Sequence, residues 1–333
     1  MSSHARIAAI AAMLALAATP AAALDDVSFG TNWLAQAEHG GFYQAVADGT
    51  YAQYGLAVTI RQGGPQAANR ALLTGGKIEF YLGGMNSAIA AVQEQLPTLT
   101  IAAMFQKDPQ MLMAHPDAGF ETFADLAGAS QYILSKDGYI AYFAWMKSAY
   151  PEFTDDKYRP YTFNPAPFIA DPMAIQQGYV TSEPLAVEKA AGWAPQVFLL
   201  ADNGYQTYST TIEVMRPWYE AHKDIARRFV EASIIGWYNY LYGDNSAANA
   251  MIKQDNPEMT DEQIAFGIAK MKEYGIAVSG DAVDKGIGCM TDARWQDFYR
   301  QMADVGVYTA GLDVTQAYTT ELVCHGLGTD LVR

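Results

Sequence analysis

Strand-like and helix-like runs alternate over the first third of the chain, and this alternation limits the possible folds most strongly. The predicted strands are 27–31, 57–61, 78–82 and 99–105, and the predicted helices between them are 40–48, 67–73 and 87–95. Strands that are joined by helices pair in parallel, with helices on both faces of the sheet. The pattern therefore predicts an α/β fold built on a parallel sheet.

A second unit of the same class begins near Gln106, and no long linker precedes it. Further strands are predicted at 111–115, 132–135, 196–205 and 207–215, and further helices at 136–150, 218–242, 245–254, 261–274 and 291–306. A chain of 333 residues is long enough for two hydrophobic cores. We expect two lobes, the first formed by 24–105 and 207–333 and the second by 106–206, so that the chain crosses between them twice.

The N-terminal residues have the layout of an export signal rather than of a folded element. Arg6 stands in a short polar region, an apolar run follows from 7 to 18, and small residues at 21–23 precede Leu24. The run is too short to span a bilayer, and a short hydrophobic helix is the alternative. We expect a signal peptide over 1–23, cleavage before Leu24 and a mature protein in the periplasm.

Composition and charge exclude several classes of protein. Hydrophobic residues make up 50% of the chain and charged residues 17%, which is typical of a globular protein rather than a disordered one. The net charge is −15, and the longest basic cluster is the pair Arg227 and Arg228. Nucleic-acid binding needs a basic surface for the phosphates, so we do not expect it.

The chain has two cysteines, Cys289 and Cys324. An even number in an oxidising compartment favours a disulfide, and two buried free thiols are the alternative. Neither cysteine has neighbours at the spacing of a zinc site, so no metal site is predicted. A bond would close a loop of about 35 residues and, by chain entropy, stabilise the fold by roughly 3–4 kcal/mol.

Polar and aromatic side chains follow the predicted strands, where α/β sheets bind their ligands. After the first strand, "TNWLAQAEHGGFY" brings together an indole, a carboxylate, an imidazole and a phenol, and its two glycines free the backbone. Trp33 can stack on a flat ring, and Glu183 in the other lobe can accept hydrogen bonds from ring amino groups or pair with a cation. The alternatives are a His39 that only holds the helix start and a Glu183 on the surface. The predicted ligand-binding residues are Trp33, Glu38, His39, Tyr43, Gly84, Asn86, Gln106, Tyr139, Asn164, Glu183 and Tyr205.

Sequence signatures of catalysis are not found, and no catalytic residue is predicted. The chain has no GxSxG turn, no HExxH motif and no GxGxxG after the first strand. The segments "QGGP" and "LGGMN" either hold an anion through backbone N–H groups or form tight turns, and both interpretations stay open. Lys and Arg are scarce at the predicted strand ends, whereas aromatic, amide and carboxyl groups are frequent. This favours a flat, nitrogen-rich heterocycle over a small oxyanion.

Several of these segments together resemble a known family. The run "AEHGGFYQAVADGTYAQYGLAVTIRQGGPQAANRALLTGGKIEFYLGG", followed by "FQKDP" and "QQGYVTSEP", resembles the substrate-binding proteins of ABC importers. Within them it is most similar to the NMT1/THI5-like branch, which includes binders of thiamine pyrimidine precursors; nitrate, sulfonate and taurine binders are more distant. The resemblance implies a type II periplasmic-binding fold, in which two α/β lobes joined by two hinge strands clamp a ligand between them.

The resemblance also implies a function in solute capture. We expect a monomeric periplasmic protein, without a cofactor, that delivers a small planar N-heterocycle such as a thiamine pyrimidine precursor to an ABC permease. Binding of a sulfonate, nitrate or taurine-type solute is the first alternative. A secreted enzyme acting on a pyrimidine is the second, and it is weakened because the cysteine-rich iron-binding motif of the related fungal pyrimidine synthases is missing here and an export signal is present.

Overall fold

A computed structural model describes residues 23–332 of the chain. The signal peptide predicted for 1–23 therefore falls outside the described residues, except for residue 23. Within 23–332, no helix is both long and apolar enough to cross a membrane.

Two sheets and the helices around them make up the described chain. The strands are β1 (Asp25–Gly30), β2 (Leu56–Arg61), β3 (Phe80–Gly83), β4 (Thr98–Phe105), β5 (Gln110–Ala114), β6 (Tyr132–Leu134), β7 (Tyr158–Pro160), β8 (Ile175–Tyr179), β9 (Gln196–Leu199) and β10 (Ser209–Met215). The α-helices are α1 (Gly40–Ala47), α2 (Thr50–Gln53), α3 (Asn69–Thr74), α4 (Met85–Gln93), α5 (Lys136–Ile140), α6 (Tyr142–Ala149), α7 (Ala166–Ala170), α8 (Glu183–Ala191), α9 (Arg216–Ala221), α10 (Lys223–Tyr242), α11 (Ser246–Asp255), α12 (Asp261–Glu273), α13 (Ala282–Lys285) and α14 (Asp292–Asp304).

The first sheet has the strand order β2-β1-β3-β10-β4 and is mixed, which corrects the prediction of a parallel sheet. β1 pairs in parallel with β2 and β3, as the alternating pattern predicts. β10 lies between β3 and β4 and is antiparallel to both. The physical reason is the direction of the chain, because β10 returns from the second sheet and must run against the strands that lead towards it.

The second sheet has the order β7-β6-β8-β5-β9, and here β5 is antiparallel to both of its neighbours. The chain passes to this sheet within 106–109 and returns within 200–208. We call these two stretches the crossing segments. The strands that border them in the first sheet, β4 and β10, are hydrogen-bonded neighbours, so the two crossings lie side by side. The two-lobe α/β fold class is thus confirmed, whereas the lobe limits given above stay a prediction.

Two predicted helices are each divided in two. The helix predicted over 136–150 breaks at Ala141, whose ψ is −89°. The break lets the hydroxyl of Tyr139 donate to Asp155 while that of Tyr142 donates to Gln177.

The helix predicted over 218–242 breaks at His222, whose backbone leaves the helical region at φ −134° and ψ 36°. The Nδ1 atom of His222 lies 2.9 Å from the Trp218 carbonyl oxygen and satisfies the end of α9. The capping box that the spacing of Thr260 and Gln263 predicts at α12 is confirmed, with the side chain of each bonded to the backbone N–H of the other.

Aromatic rings fill the space between the first sheet and α10. Phe80 stacks on Phe229 with ring centroids 3.8 Å apart, and Phe29 meets Phe42 at 4.4 Å. Phe42 in turn meets the edge of Trp237. These rings fix α1 and the turn that precedes it, and that turn carries several of the predicted ligand-binding residues.

Gly40 and Gly41 serve close packing rather than backbone freedom. A Cβ atom on Gly40 would lie 2.0 Å from the ring of Tyr240, and one on Gly41 would lie 2.2 Å from the ring of Trp237. Gly40 also has ordinary helical torsions, with φ −57°. The prediction that the two glycines free the backbone is therefore wrong. Glycine is needed at both positions because α10 packs so closely on them that a side chain would not fit.

Gly41→Ala should lower the free energy of unfolding by about 1–3 kcal/mol or more, since its Cβ would overlap a buried ring. Gly84→Ala is the matched control, because a Cβ there meets no heavy atom within 4 Å; we expect its effect to stay below about 1 kcal/mol. Urea unfolding of both variants gives the comparison. Equal losses in the two would contradict the packing explanation.

A disulfide joins Cys289 to Cys324. It ties the segment before α14 to the C-terminal tail, 35 positions later. The carbonyl of Cys289 accepts a hydrogen bond of 2.7 Å from the side chain of Gln106 in the first crossing segment. The disulfide therefore anchors the segment around Cys289, and this segment contacts the first crossing segment through Gln106.

Replacing both cysteines by serine should lower the free energy of unfolding by about 3–4 kcal/mol, because the unfolded chain regains the entropy of the open loop. Intact-mass measurement with alkylation, before and after reduction, checks the bond itself. Two thiols that alkylate in native, unreduced protein would rule the disulfide out.

Candidate functional site

A cavity of about 270 Å³ lies between the two sheets, at the ends of their strands. From the first sheet it is lined by Asn32, Trp33, Gln36, Glu38, His39, Leu82, Ser209 and Thr210. From the second it is lined by Gln110, Tyr161, Phe163, Gln177, Gly178, Tyr179, Ser182 and Glu183. The position follows the rule that ligands of α/β sheets bind beyond the carboxyl ends of the strands.

Four of the eleven predicted ligand-binding residues line this cavity, namely Trp33, Glu38, His39 and Glu183. Trp33 follows β1 and is 37% exposed. Its ring stacks on that of Phe163 across the cleft, with centroids 6.0 Å apart and an interplanar angle of 25°. One aromatic face from each lobe therefore meets at the mouth of the cavity.

Glu38 lies in a short 3-10 helix, Ala37–His39, between β1 and α1. Its side chain is buried, and its carboxylate accepts a hydrogen bond from the hydroxyl of Thr181 in the opposite lobe. Burial raises the pKa of Glu38 to about 7, and the bond from Thr181 only partly offsets this. Glu38 thus joins the lobes and changes its protonation near neutral pH.

His39 is 2% exposed and lines the cavity. Burial lowers its pKa to about 3, so the imidazole is neutral at neutral pH. Within residues 23–332, the Nδ1 atom has no hydrogen-bond partner. A buried polar atom without a protein partner is uncommon, so a polar partner for His39 would have to come from outside the described residues.

Glu183 begins α8, and one of its carboxylate oxygens accepts a hydrogen bond of 2.7 Å from the backbone N–H of Tyr179. Burial raises the pKa of Glu183 above its ordinary value. The interpretation of Glu183 as a surface residue is not supported, because it faces the cleft from the second lobe.

The two lobes touch on several sides of the cavity. Besides the contacts of Glu38 and Trp33, Lys189 of α8 pairs with Glu262 of α12 at 2.6 Å. The lobes are therefore closed on each other, which is the arrangement that encloses a ligand.

Backbone strain concentrates at the cavity wall. Within 23–332, four residues other than glycine have positive φ, and two of them, Phe163 (59°) and Thr210 (49°), line the cavity. Each such residue typically costs about 1–3 kcal/mol and persists only where its surroundings enforce it. Strain of this kind is frequent at ligand sites, so it supports the cavity as the functional site.

Three predicted residues, Asn86, Gln106 and Tyr205, lie at the crossing segments instead of lining the cavity. Asn86 bonds to the hydroxyls of Tyr205 and Tyr308, and Gln106 bonds to Cys289. The physical reason is that these polar groups have partners within the fold: Tyr308 and Cys289 of the C-terminal part bond to Asn86 and Gln106, and Asn86 bonds to Tyr205.

The other four predicted residues also lie outside the cavity lining. Tyr43 is buried with its hydroxyl on Asp255, and Tyr139 bonds to Asp155 in the second lobe. Gly84 precedes α4, and the Asn164 side chain accepts from the N–H of Ala166 at the surface. A ligand role for these seven residues remains a prediction that this geometry does not support.

Sequence reasoning missed most of the second lobe's wall, above all Tyr161, Phe163 and Tyr179. The aromatic residues of "RPYTFN" directly follow β7, and this placement after a strand was the available signal. β7 is only three residues long, so no alternating pattern marks it as a strand.

Glu38→Gln should change how stability depends on pH. The Glu38 pKa of about 7 exceeds its ordinary 4.5, so between these values the folded chain holds a proton that the unfolded chain has released. The stability gained from Glu38 is complete below pH 4.5 and is lost as the pH rises through 7. The variant does not titrate there, so its free energy of unfolding should rise relative to wild type, by at most about 3 kcal/mol.

Urea unfolding of both proteins between pH 4.5 and 7.5 measures this difference. His39 titrates in the opposite direction, since its pKa is lowered on folding, but it contributes equally to both proteins and cancels. If the difference in free energy of unfolding between the two proteins stays constant with pH, Glu38 does not take up a proton on folding.

Known proteins share both the sequence pattern and the fold. The family model described as "NMT1/THI5 like" matches residues 36–247. The riboflavin-binding protein RibY of Chloroflexus aurantiacus is 23% identical over 314 residues, which cover 91% of this chain and 87% of RibY.

Two solved structures illustrate the fold. The alkanesulfonate-binding protein SsuA from Xanthomonas axonopodis pv. citri, bound to MOPS, is similar with a TM-score of 0.62 at 13% identity, over 90% of this chain and 100% of its own. The desulfurization enzyme DSZB gives a TM-score of 0.55 at 11% identity, over 90% and 97%. At such identities the likeness shows the periplasmic-binding fold alone. The match over residues 36–247 shows the family: the chain belongs to the NMT1/THI5-like proteins.

Proposed function

We propose that this protein is the periplasmic solute-binding component of an ABC importer, and that it captures a small planar nitrogen heterocycle between its two lobes. A thiamine pyrimidine precursor of the hydroxymethylpyrimidine kind is the ligand we favour. The observation that carries the proposal is the lining of the closed cavity, which combines aromatic faces and amides with two carboxyl groups.

The aromatic residues of the cavity suit a flat ring. Trp33 and Phe163 face each other from opposite lobes with their centroids 6.0 Å apart, and stacked aromatic pairs are favourable at centroid distances of about 4.5–7 Å. A modest opening of the lobes would admit a ring between them. The volume of about 270 Å³ lies near the lower end of known ligand pockets, which favours one or two rings.

The charges at the cavity disfavour an anion. Among the described lining residues are Glu38 and Glu183, and there is neither a lysine nor an arginine. Sulfonate and nitrate sites normally present cationic groups or helix N-termini to the anion. Carboxylates and amides instead accept hydrogen bonds from the amino and ring N–H groups of a heterocycle.

The importer role is supported by the two-lobe fold and by family membership. In this role an open form admits the ligand, the lobes close over it, and the closed form docks on a permease in the inner membrane. Closure excludes water and strengthens the polar contacts, and the ligand need only bind the closed form better than the open one. Export to the periplasm and a monomeric state belong to the same proposal.

Two alternatives remain open to experiment. One is a sulfonate or a related small solute such as nitrate or taurine, since SsuA binds alkanesulfonates on the same fold, and the other is an enzyme, since DSZB shares the fold too. Because the similar protein RibY binds riboflavin, a flavin is also among the candidate heterocycles. The anion alternative conflicts with the carboxylates of the cavity, and the enzyme alternative predicts turnover.

Mass spectrometry of small molecules released from the purified protein identifies the ligand. Calorimetric titration with hydroxymethylpyrimidine, riboflavin, taurine and nitrate then ranks the classes. We expect hydroxymethylpyrimidine to bind, and neither taurine, which is a zwitterion, nor the anion nitrate to bind. Tight binding of an anion would overturn the proposal, and a changed compound recovered after incubation would reveal an enzyme.

Trp33→Ala should weaken binding of the heterocycle by roughly five- to 150-fold, because it removes a stacking partner worth on the order of 1–3 kcal/mol. Tyr139→Ala is the matched control, since this tyrosine was also a sequence candidate but bonds to Asp155 outside the cavity lining. Titration calorimetry compares the two variants. Binding by Trp33→Ala as tight as by wild type would show that the turn after β1 is structural.

Glu183→Gln should weaken an aminopyrimidine and leave an anion unaffected or better bound. The glutamine oxygen can still accept from Tyr179, so the shape is kept while the charge is removed. The heterocycle and anion hypotheses therefore predict opposite signs at one residue. Unchanged affinity for both ligand classes would exclude a direct role for Glu183.

A further inference from the structure

Gln177 of β8 holds its side-chain amide in one orientation at the cavity wall. Its Oε1 accepts a hydrogen bond of 2.6 Å from the backbone N–H of Ser135 and one of 2.7 Å from the hydroxyl of Tyr142. A backbone N–H can only donate, so the atom that it meets is the amide oxygen and not the nitrogen. The two bonds therefore fix which end of the amide is Nε2 and where that end lies.

The partners of Oε1 are themselves held in place. The side chain of Ser135 accepts a bond of 3.0 Å from the N–H of Gly138 at the start of α5. Tyr142 is buried, and burial raises the pKa of its hydroxyl well above the ordinary value, so that the hydroxyl keeps its proton and remains a donor. Gly138 lies so close that a Cβ atom there would be 2.7 Å from Oε1 of Gln177. The oxygen end of the amide is thus packed into the second lobe.

The nitrogen end of the same amide has no such surroundings. Within residues 23–332, Nε2 of Gln177 makes no hydrogen bond, and it is not fully enclosed by protein atoms either. Gln177 as a whole is 9% exposed, and it lines the cavity. The open space that Nε2 meets is therefore the cavity, to which the amide presents N–H donors.

A free donor at this position discriminates between ligands. Water bonds to Nε2 of Gln177 while the cavity is solvated. A ligand that displaces this water has to supply an acceptor, because a donor that becomes enclosed without a partner lowers the affinity. Gln110, at the same wall, differs in that its Nε2 already donates to the carbonyl oxygen of Gly178 at 3.1 Å.

A carboxylate acceptor lies near this donor, at the end of the same strand. Glu183 packs on Gly178, the residue after Gln177, so closely that a Cβ atom on Gly178 would be 2.7 Å from that of Glu183. The carboxylate of Glu183 accepts from the backbone N–H of Tyr179, the last residue of β8. A ligand edge that bonds to both side chains has an acceptor next to a donor. A ring nitrogen beside an amino group has this arrangement, and so does a ring carbonyl beside an N–H, whereas nitrate offers acceptors only.

We propose that Gln177 is a specificity-determining residue that donates from Nε2 to an acceptor of the ligand, and that together with Glu183 it selects heterocycles in which a ring nitrogen or a carbonyl lies next to an N–H group. This inference rests on the proposed function of solute capture and deepens it, because it names the hydrogen-bonding pattern of the ligand.

Gln177→Glu tests the donor, because a carboxylate can still accept from Ser135 and Tyr142 while the N–H groups that face the cavity are lost. Gln110→Glu is the matched control, since it adds the same charge to the same cavity at an amide whose nitrogen is already bonded to Gly178. Gln177→Met is the second variant, and it removes the donors without adding a charge.

Two ligands that differ only in their ring acceptors measure the effect. One is hydroxymethylpyrimidine, and the other is the aniline analogue in which both ring nitrogens are replaced by C–H. Both compounds keep the amino and hydroxymethyl groups. Titration calorimetry gives the ratio of their dissociation constants, so that a general loss of affinity in a variant cancels, and thermal unfolding checks that each variant folds.

Wild type should prefer hydroxymethylpyrimidine, and both Gln177 variants should lower this preference roughly tenfold, which corresponds to about 1.4 kcal/mol. Gln110→Glu should keep the wild-type preference. A preference that stays at the wild-type value in Gln177→Met, or that falls equally in Gln110→Glu, would overturn the inference.

Further outcomes separate this inference from the choice of ligand. If wild type does not bind hydroxymethylpyrimidine, that ligand is excluded, and riboflavin, which carries ring carbonyls next to an N–H group, becomes the probe. Riboflavin bound about tenfold more weakly by Gln177→Met than by Gln110→Glu would then support the role of Gln177. A wild type that binds neither heterocycle, or a failure of both Gln177 variants to fold, would overturn the inference.

Discussion

The architecture depends on the antiparallel insertion of β10 between β3 and β4. Because β10 returns from the second sheet, its first residues lie at the same edge of the first sheet as the ends of the parallel strands. Ser209 and Thr210 therefore join the residues after β1 at the cavity wall. The same insertion places the two crossings side by side, where one C-terminal segment can contact both.

The alternation of strands and helices could be predicted from the sequence. The turn that carries Trp33, Glu38 and His39 could be predicted too, since the ends of strands follow directly from the pattern. The mixed pairing of the first sheet could not be predicted, because an antiparallel strand such as β10 has the same local sequence pattern as a parallel one. That Asn86, Gln106 and Tyr205 lie outside the cavity lining could not be predicted, for a different reason. Asn86 and Gln106 bond to Tyr308 and Cys289 of the C-terminal part, and Tyr205 bonds to Asn86; such long-range partners leave no local signal.

The cleft is less strongly charged than its composition indicates. Burial keeps His39 neutral and lets Glu38 take up a proton near neutral pH. The carboxyl groups of Asp108, Glu38 and Glu183 nevertheless surround Tyr179, and with burial they raise its pKa well above the ordinary value. Closing the lobes thus gathers acidic groups, and N–H donors of a ligand would relieve their repulsion. This gives the closed form a physical reason to depend on a ligand, while contacts such as that of Glu38 with Thr181 favour closure by themselves.

The pairing of β10 with β3 and β4 also bears on the order in which the chain folds. The second sheet is built from one continuous stretch of sequence, whereas the first sheet stays incomplete until β10 has been synthesised and has found its place between two early strands. Long-range pairing of this kind closes a large loop and slows folding. The edges of β3 and β4 that later receive β10 therefore stay unpaired while the second sheet already has all of its strands.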